Sequence, residues 1–105
     1  LSKIKYIKIN KRIKNNTETF ALYMAKFKKR DKLKSYLLKN GIEVKIHYPI
    51  PLHLQKPSRL LGYKKGDFPI AEAQAKELLT LPVHQYLTKK QINYIAEKVR
   101  NFYYK

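Results

Sequence analysis

The sequence contains no cysteine and no tryptophan, and its 105 residues include only three glycines and one methionine. The lack of cysteine excludes disulfides and thiolate metal sites. Because Gly41, Gly62 and Gly66 are isolated from one another, there is no glycine-rich phosphate loop. No apolar run approaches the roughly 20 residues that span a bilayer, and no charged-then-apolar secretory signal is present. We therefore expect a soluble, cytoplasmic protein that does not contact the membrane.

Acidic residues are also scarce: 7 Asp+Glu stand against 24 Lys+Arg, for a net charge of +17. Such a chain attracts phosphate, so a basic module that binds nucleic acid or an acidic partner is one hypothesis for its function. The distribution of charge argues against sequence-specific binding, because the lysines are spread over every segment and only four residues are arginine. Base recognition relies on the planar fork of arginine. We expect only weak, non-specific attraction to nucleic acid.

The length and the 44% hydrophobic content are sufficient for one core, so we expect residues 1–105 to form a single domain. Apolar alternation predicts strands at residues 3–9, 17–27, 42–46 and 81–84. Two helices are predicted at residues 32–40, after an Asp31 cap, and at residues 69–78, after an Asp67 cap. A third helix is predicted after a capping box at Thr88. Its buried stripe consists of Ile92, Ile95, Ala96, Val99 and Phe102. This order indicates an α+β fold in which helices cover one face of a small, mainly antiparallel sheet.

The segment His47-Tyr48-Pro49-Ile50-Pro51-Leu52-His53-Leu54-Gln55 is the most informative part of the chain. Its two prolines exclude helix and also restrict the residues that precede them, so two imidazoles and a phenol are displayed on a stiff loop. We call residues 47–55 the proline loop. The predicted strand at residues 42–46 leads directly into this loop.

Together with Leu61-Gly62-Tyr63, Gly66-Asp67-Phe68-Pro69-Ile70-Ala71-Glu72 and Leu81-Pro82-Val83-His84, the proline loop resembles the C-terminal domain of the DegT-type sugar-nucleotide aminotransferases. The order and spacing of these phrases carry the resemblance, which covers residues 17–105. It implies a segment of a fold-type-I, pyridoxal-phosphate-dependent enzyme that transfers an amino group to a nucleotide-linked keto-sugar, for example in polysaccharide biosynthesis. It also implies a larger domain that holds the cofactor and its Schiff-base lysine, and a second subunit.

None of the lysines in this sequence has the surroundings of that Schiff-base lysine. We therefore expect the large domain to be absent from these residues, the chain alone to hold no cofactor, and the chain alone to be inactive. No catalytic residue is assigned, and the resemblance points to His47 and Tyr48, then His53, as substrate-binding residues. We also expect the chain to be either a fragment of such an enzyme or a separately encoded closing domain.

Simpler roles for these side chains remain open. His47 and His53 could be loop residues bonded to nearby backbone, and Tyr48 could be a packed ring with a solvated hydroxyl. His84 is interpreted as part of a packed connection. A metal site formed by the three histidines is disfavoured, because an extended loop separates His47 from His53 by roughly 19 Å.

Overall fold

The computed structural model describes residues 1–104 as an antiparallel sheet with three α-helices. The strands are β1 (Ile7–Lys8), β2 (Tyr23–Phe27) and β3 (Leu78–Leu81), in the spatial order β1-β2-β3. The helices are α1 (Arg30–Lys39), α2 (Pro69–Glu77) and α3 (Lys89–Tyr104), and two short 3₁₀-helices cover Leu52–Leu54 and Lys56–Leu61. The predicted α+β fold is confirmed.

One face of the sheet carries the core. Ala25 pairs with Leu79, and Ile7 pairs with Phe27, so these four side chains share a face. Helices α1 and α3 complete the buried cluster, whose members are Ile4, Ile7, Ala25, Phe27, Leu33, Leu37, Ile42, Val44, Leu79, Leu81 and Val99. The other face is only partly covered, since Leu22 and Met24 are 41% and 36% exposed whereas Thr80, which pairs with Met24, is 7% exposed. The strand predicted at residues 17–27 is shorter in the structure, where β2 begins at Tyr23.

The start of α1 differs from the prediction and its end matches it. Lys29, in the left-handed conformation, precedes the helix without a side-chain cap, and Asp31 lies in the first turn. The predicted Asp31 cap is therefore wrong. At the other end, Gly41 adopts φ 75°, and the N–H of Ile42 bonds to the carbonyl of Leu37 at 3.0 Å. This is a Schellman ending, which favours glycine at the left-handed position.

The segment 42–46 keeps the predicted alternation without becoming a strand. Ile42 and Val44 are buried while Glu43 and Lys45 are exposed, yet the only sheet pairing of this segment in the described chain is a bridge between Lys45 and Thr80. Alternate side chains of this extended segment are therefore buried, although a single bridge takes the place of a continuous ladder of sheet hydrogen bonds.

The third strand begins earlier than predicted because α2 ends earlier. The helix stops at Glu77, and Arg30 Nη1 donates to the carbonyls of Ala75 and Leu78 at 2.9 and 2.8 Å. Those carbonyls are satisfied by the guanidinium instead of by another helical turn, and the chain continues as β3. The predicted strand at residues 81–84 therefore overlaps β3 only at Leu81. Asp67 does not cap α2: its Oδ2 accepts from the Lys64 N–H at 2.9 Å and closes the preceding turn.

The capping box of α3 is confirmed. The Thr88 N–H donates to Gln91 Oε1 at 2.9 Å, and the Gln91 N–H donates to Thr88 Oγ1 at 3.2 Å. Val99 is fully buried, but Ile92 is 52% exposed, because the first turn of α3 lies beyond the edge of the core cluster. The predicted buried stripe is therefore wrong at Ile92.

Candidate functional site

The proline loop forms one wall of a cleft of about 490 Å³, and α2 forms the facing wall. Pro51 has φ −57° and ψ 147°, the extended geometry that proline favours, and the 3₁₀-helix Leu52–Leu54 follows it. The peptide bond between His47 and Tyr48 is cis. The cleft is lined by His47, Tyr48, Ile50, Pro51, Leu52, His53, Gln55, Ser58, Tyr63, Phe68, Ala71, Gln74, Ala75 and Leu78.

His47 is oriented by the sheet. Its Nδ1 shares a hydrogen bond with Thr80 Oγ1 at 2.6 Å, and Thr80 is 7% exposed in β3. The bridge between Lys45 and Thr80 fixes the chain two residues before the imidazole, with N–H to carbonyl distances of 2.8 and 3.2 Å. The histidine that enters the cleft is thus attached to a buried strand through both backbone and side chain.

His53 is held from the opposite wall. Its Nε2 lies 2.8 Å from Glu72 Oε1, and the same oxygen accepts from the Gly66 N–H at 2.7 Å. These two hydrogen bonds lower the pKa of the Glu72 carboxyl below its ordinary value, the one from His53 contributing most. His53 is 7% exposed. A carboxylate on α2 therefore joins the 3₁₀-helix of the proline loop to the turn that precedes α2.

Aromatic rings complete the cleft. His53 packs against Phe68 with ring centroids 4.9 Å apart, and Phe68 packs against Tyr63 at 5.4 Å, both edge to face. Tyr48 packs its ring edge to face against His47 at 5.3 Å while remaining 70% exposed. Such an array offers flat apolar surface with a few polar tips, a composition typical of small-molecule sites.

The structure brings all three predicted substrate-binding residues to this one cleft. His84 lies instead in a second, more polar cleft, which shares His47 with the first cleft and is also lined by Thr80. Within residues 1–104, no group of three or more His, Asp or Glu side chains is arranged to hold a metal ion. None of the described helices is long and apolar enough to cross a membrane.

Two residues that position the histidines were not identified from the sequence. Thr80 is the one polar residue in the strand Leu78–Leu81, and such a residue in a buried apolar strand needs a partner. Glu72 is one of the seven acidic residues of a strongly basic chain, and it lies in the first turn of a helix. Both signals are visible in the sequence, but their histidine partners depend on tertiary structure.

Comparison with known proteins identifies the family of this chain. The family model described as the DegT/DnrJ/EryC1/StrS aminotransferase family matches residues 1–100. The chain belongs to this aminotransferase family. The resemblance inferred from the sequence phrases is thereby confirmed.

Individual relatives agree with the family match. A pleiotropic regulatory protein of Geobacillus stearothermophilus is 41% identical over 93 residues, covering 89% of this chain and 25% of the relative. A dTDP-3-amino-3,4,6-trideoxy-alpha-D-glucose transaminase of Streptomyces venezuelae is 32% identical over 81 residues, covering 77% of this chain and 21% of the relative. The crystal structure of S. venezuelae DesV in complex with a ketimine intermediate superposes with a TM-score of 0.88 and 27% identity, over 94% of this chain and 27% of that one.

The chain spans about a quarter of the length of the family members that it matches. Enzymes of this family are typically dependent on pyridoxal phosphate, and solved relatives include a PLP-form. A site for that cofactor needs a lysine amine and groups that neutralise a phosphate. The residues that line the cleft include no lysine and no arginine. The cleft of this segment therefore does not fit the cofactor by itself.

Proposed function

We propose that residues 1–105 form the small, substrate-closing domain of a pyridoxal-phosphate-dependent aminotransferase that acts on nucleotide-linked keto-sugars. The family match supports the reaction class, and relatives named as transaminases of nucleotide-linked amino sugars support the substrate class. In this proposal the cofactor, its Schiff-base lysine and its phosphate site belong to a larger domain, with a second subunit completing the enzyme.

The observation that carries the proposal is the composition of the cleft wall. No charged side chain lines the cleft, while two imidazoles, two phenols, two amides and one hydroxyl stand among apolar groups. Neutral donors and acceptors beside aromatic faces fit the hydroxyls and ring of a sugar or the face of a base. Buried carboxylates or lysines, which the chemical step of amino-group transfer would use, are not part of this wall.

Within the cleft we assign His47 and Tyr48 to substrate contact. Thr80 occupies His47 Nδ1, which leaves Nε2 as the nitrogen that can meet a ligand. The exposed Tyr48 ring stands beside it and carries a hydroxyl that both donates and accepts. His53 also lines the cleft. Because its Nε2 is already engaged by Glu72, only Nδ1 remains for a ligand. We assign no residue of this segment to the chemical step.

A chimera tests the proposed function. The matching quarter of the Streptomyces venezuelae transaminase is replaced by residues 1–105, and amino transfer to that enzyme's own keto-sugar nucleotide is measured. We expect a folded, active chimera, because the two segments are 32% identical. Replacing the segment with an unrelated domain of similar length is the control, and we expect that control to be inactive. A folded chimera without activity toward any nucleotide-linked keto-sugar would contradict the proposal.

A further inference from the structure

We propose that Glu72 is a positioning residue that holds His53 in the Nε2–H tautomer, so that the ring presents Nδ1 as a hydrogen-bond acceptor to a ligand. The assignment of that ligand as a nucleotide-sugar rests on the proposed function. The tautomer itself does not, because it follows from the contacts of Glu72 alone.

The proton is placed by the chemistry of the two partners. An ionised carboxylate only accepts hydrogen bonds, whereas a neutral imidazole has one donor nitrogen and one acceptor nitrogen. The low pKa of Glu72 keeps its carboxyl ionised near neutral pH. His53 Nε2, at 2.8 Å from Glu72 Oε1, must therefore be the nitrogen that carries the proton. In the neutral ring, Nδ1 then has the lone pair.

His53 Nδ1 is not completely enclosed by the protein. It makes no hydrogen bond in the described chain, and no side-chain nitrogen or oxygen there is both buried and unpartnered. The ring lines the cleft although only 7% of the residue is exposed. A ligand group that donates a hydrogen bond, such as a sugar hydroxyl or the N–H of a base, matches this acceptor.

The same carboxylate oxygen also fixes the surroundings of the ring. The Gly66 N–H donates to Glu72 Oε1 at 2.7 Å and thereby closes the loop that carries Phe68. The Phe68 ring in turn packs against His53 at 4.9 Å. One side chain of α2 thus fixes the tautomer of the imidazole and the ring beside it, while Glu72 itself does not line the cleft.

The test is nitrogen-15 NMR of the imidazole rings in the labelled 105-residue chain, at a pH where His53 is neutral. Wild-type protein should show the Nε2–H tautomer at His53. Glu72→Met should redistribute the tautomers and speed hydrogen exchange at the Gly66 amide by about tenfold. Glu72→Gln should restore both, because an amide oxygen accepts the same two hydrogen bonds.

Glu77→Met is the matched control, since it removes a carboxylate from the same helix without contacting His53, and it should leave the His53 signals unchanged. An Nδ1–H tautomer in wild-type protein would overturn the proposal. A folded Glu72→Met chain with unchanged His53 tautomer would overturn it as well. If that variant does not fold, the wild-type tautomer decides the outcome alone, independently of any transaminase activity.

Discussion

Thr80 and Glu72 orient the two histidines of the cleft through hydrogen bonds. Each uses a side-chain oxygen to occupy one nitrogen of a histidine, and each lies outside the set of residues expected from sequence to bind substrate. The orientation of the two imidazoles therefore depends on residues 33 and 19 positions away in the chain. Predictions at this scale concern ring orientation and protonation more than overall stability.

Thr80→Val should release His47 with little change in packing, since valine has nearly the shape of threonine without the hydroxyl. The His47 ring signals should broaden or shift in NMR spectra of the chain, and the free energy of unfolding should fall by about 1 kcal/mol. Thr80→Ser keeps the hydroxyl and serves as the control. Identical His47 signals in the valine variant and the wild type would show that the hydroxyl does not hold the ring.

Stability should depend on pH through Glu72. Because the folded chain lowers the pKa of this carboxyl below its ordinary value of 4.5, Glu72 stabilises the fold above that value. The stabilisation is lost as the pH falls through the lowered, folded-state pKa, because both states then bind the proton. Urea unfolding of wild type and Glu72→Gln, measured between about pH 7 and about pH 3, should show a difference that shrinks only at the acidic end. A difference that stays constant to the lowest pH would argue against the ionised contact.

At the scale of elements, Arg30 joins the start of α1 to the end of α2. Its guanidinium is nearly buried, with two hydrogen bonds to carbonyls of the α2–β3 junction and one to Asp31. Helix α2 carries Glu72 and one wall of the cleft. The contact therefore links the hydrophobic core to the position of the site.

Arg30→Met should lower the free energy of unfolding by about 3 kcal/mol, because it removes two charge-assisted hydrogen bonds and leaves carbonyls at the helix end unpaired. Arg100→Met, at an exposed position on α3, is the control and should change stability by less than about 0.5 kcal/mol. Chemical unfolding measured by circular dichroism makes the comparison. Equal stability of the two variants would show that Arg30 does not anchor α2.

The elements also show which features can be predicted from sequence. Local chemistry was sufficient for the Gly41 helix end and for the Thr88–Gln91 capping box, because each involves neighbouring residues. The start of β3 was misplaced by three residues, because the end of α2 depends on Arg30, 45 residues earlier in the chain than Ala75. The site followed the same rule. The proline loop was identified from its own residues, whereas the partners of its histidines come from distant positions.

At the scale of the whole molecule, the net charge of +17 is a property of the entire surface. Binding of the chain to DNA duplexes should be weak and insensitive to sequence, and it should fall steeply as salt rises, because scattered lysines neutralise phosphates without contacting bases. Titrations of several duplexes at two salt concentrations check this. Tight binding that ranks sequences at physiological salt would favour a basic module that binds nucleic acid.

The 105-residue chain should not form a covalent adduct with pyridoxal phosphate at a specific lysine, since no lysine lines its cleft. Borohydride trapping followed by peptide mapping measures the adduct. Stoichiometric labelling of one lysine would place a cofactor site within this segment, contrary to the proposed division between two domains.

The central claim is that the cleft of this segment contacts the sugar substrate, and the most direct measurement compares His47→Ala with the parent chimera. The loss of a neutral substrate hydrogen bond should lower kcat/KM for the keto-sugar nucleotide roughly two- to tenfold. The free energy of unfolding should fall by only about 1 kcal/mol, as for Thr80→Val, because the hydrogen bond to Thr80 is lost as well. Val99→Ala, which truncates a fully buried side chain, should lower stability by about 2 kcal/mol and spare the kinetics of the folded enzyme. A His47→Ala chimera that unfolds more easily but turns over its substrate normally would contradict the account.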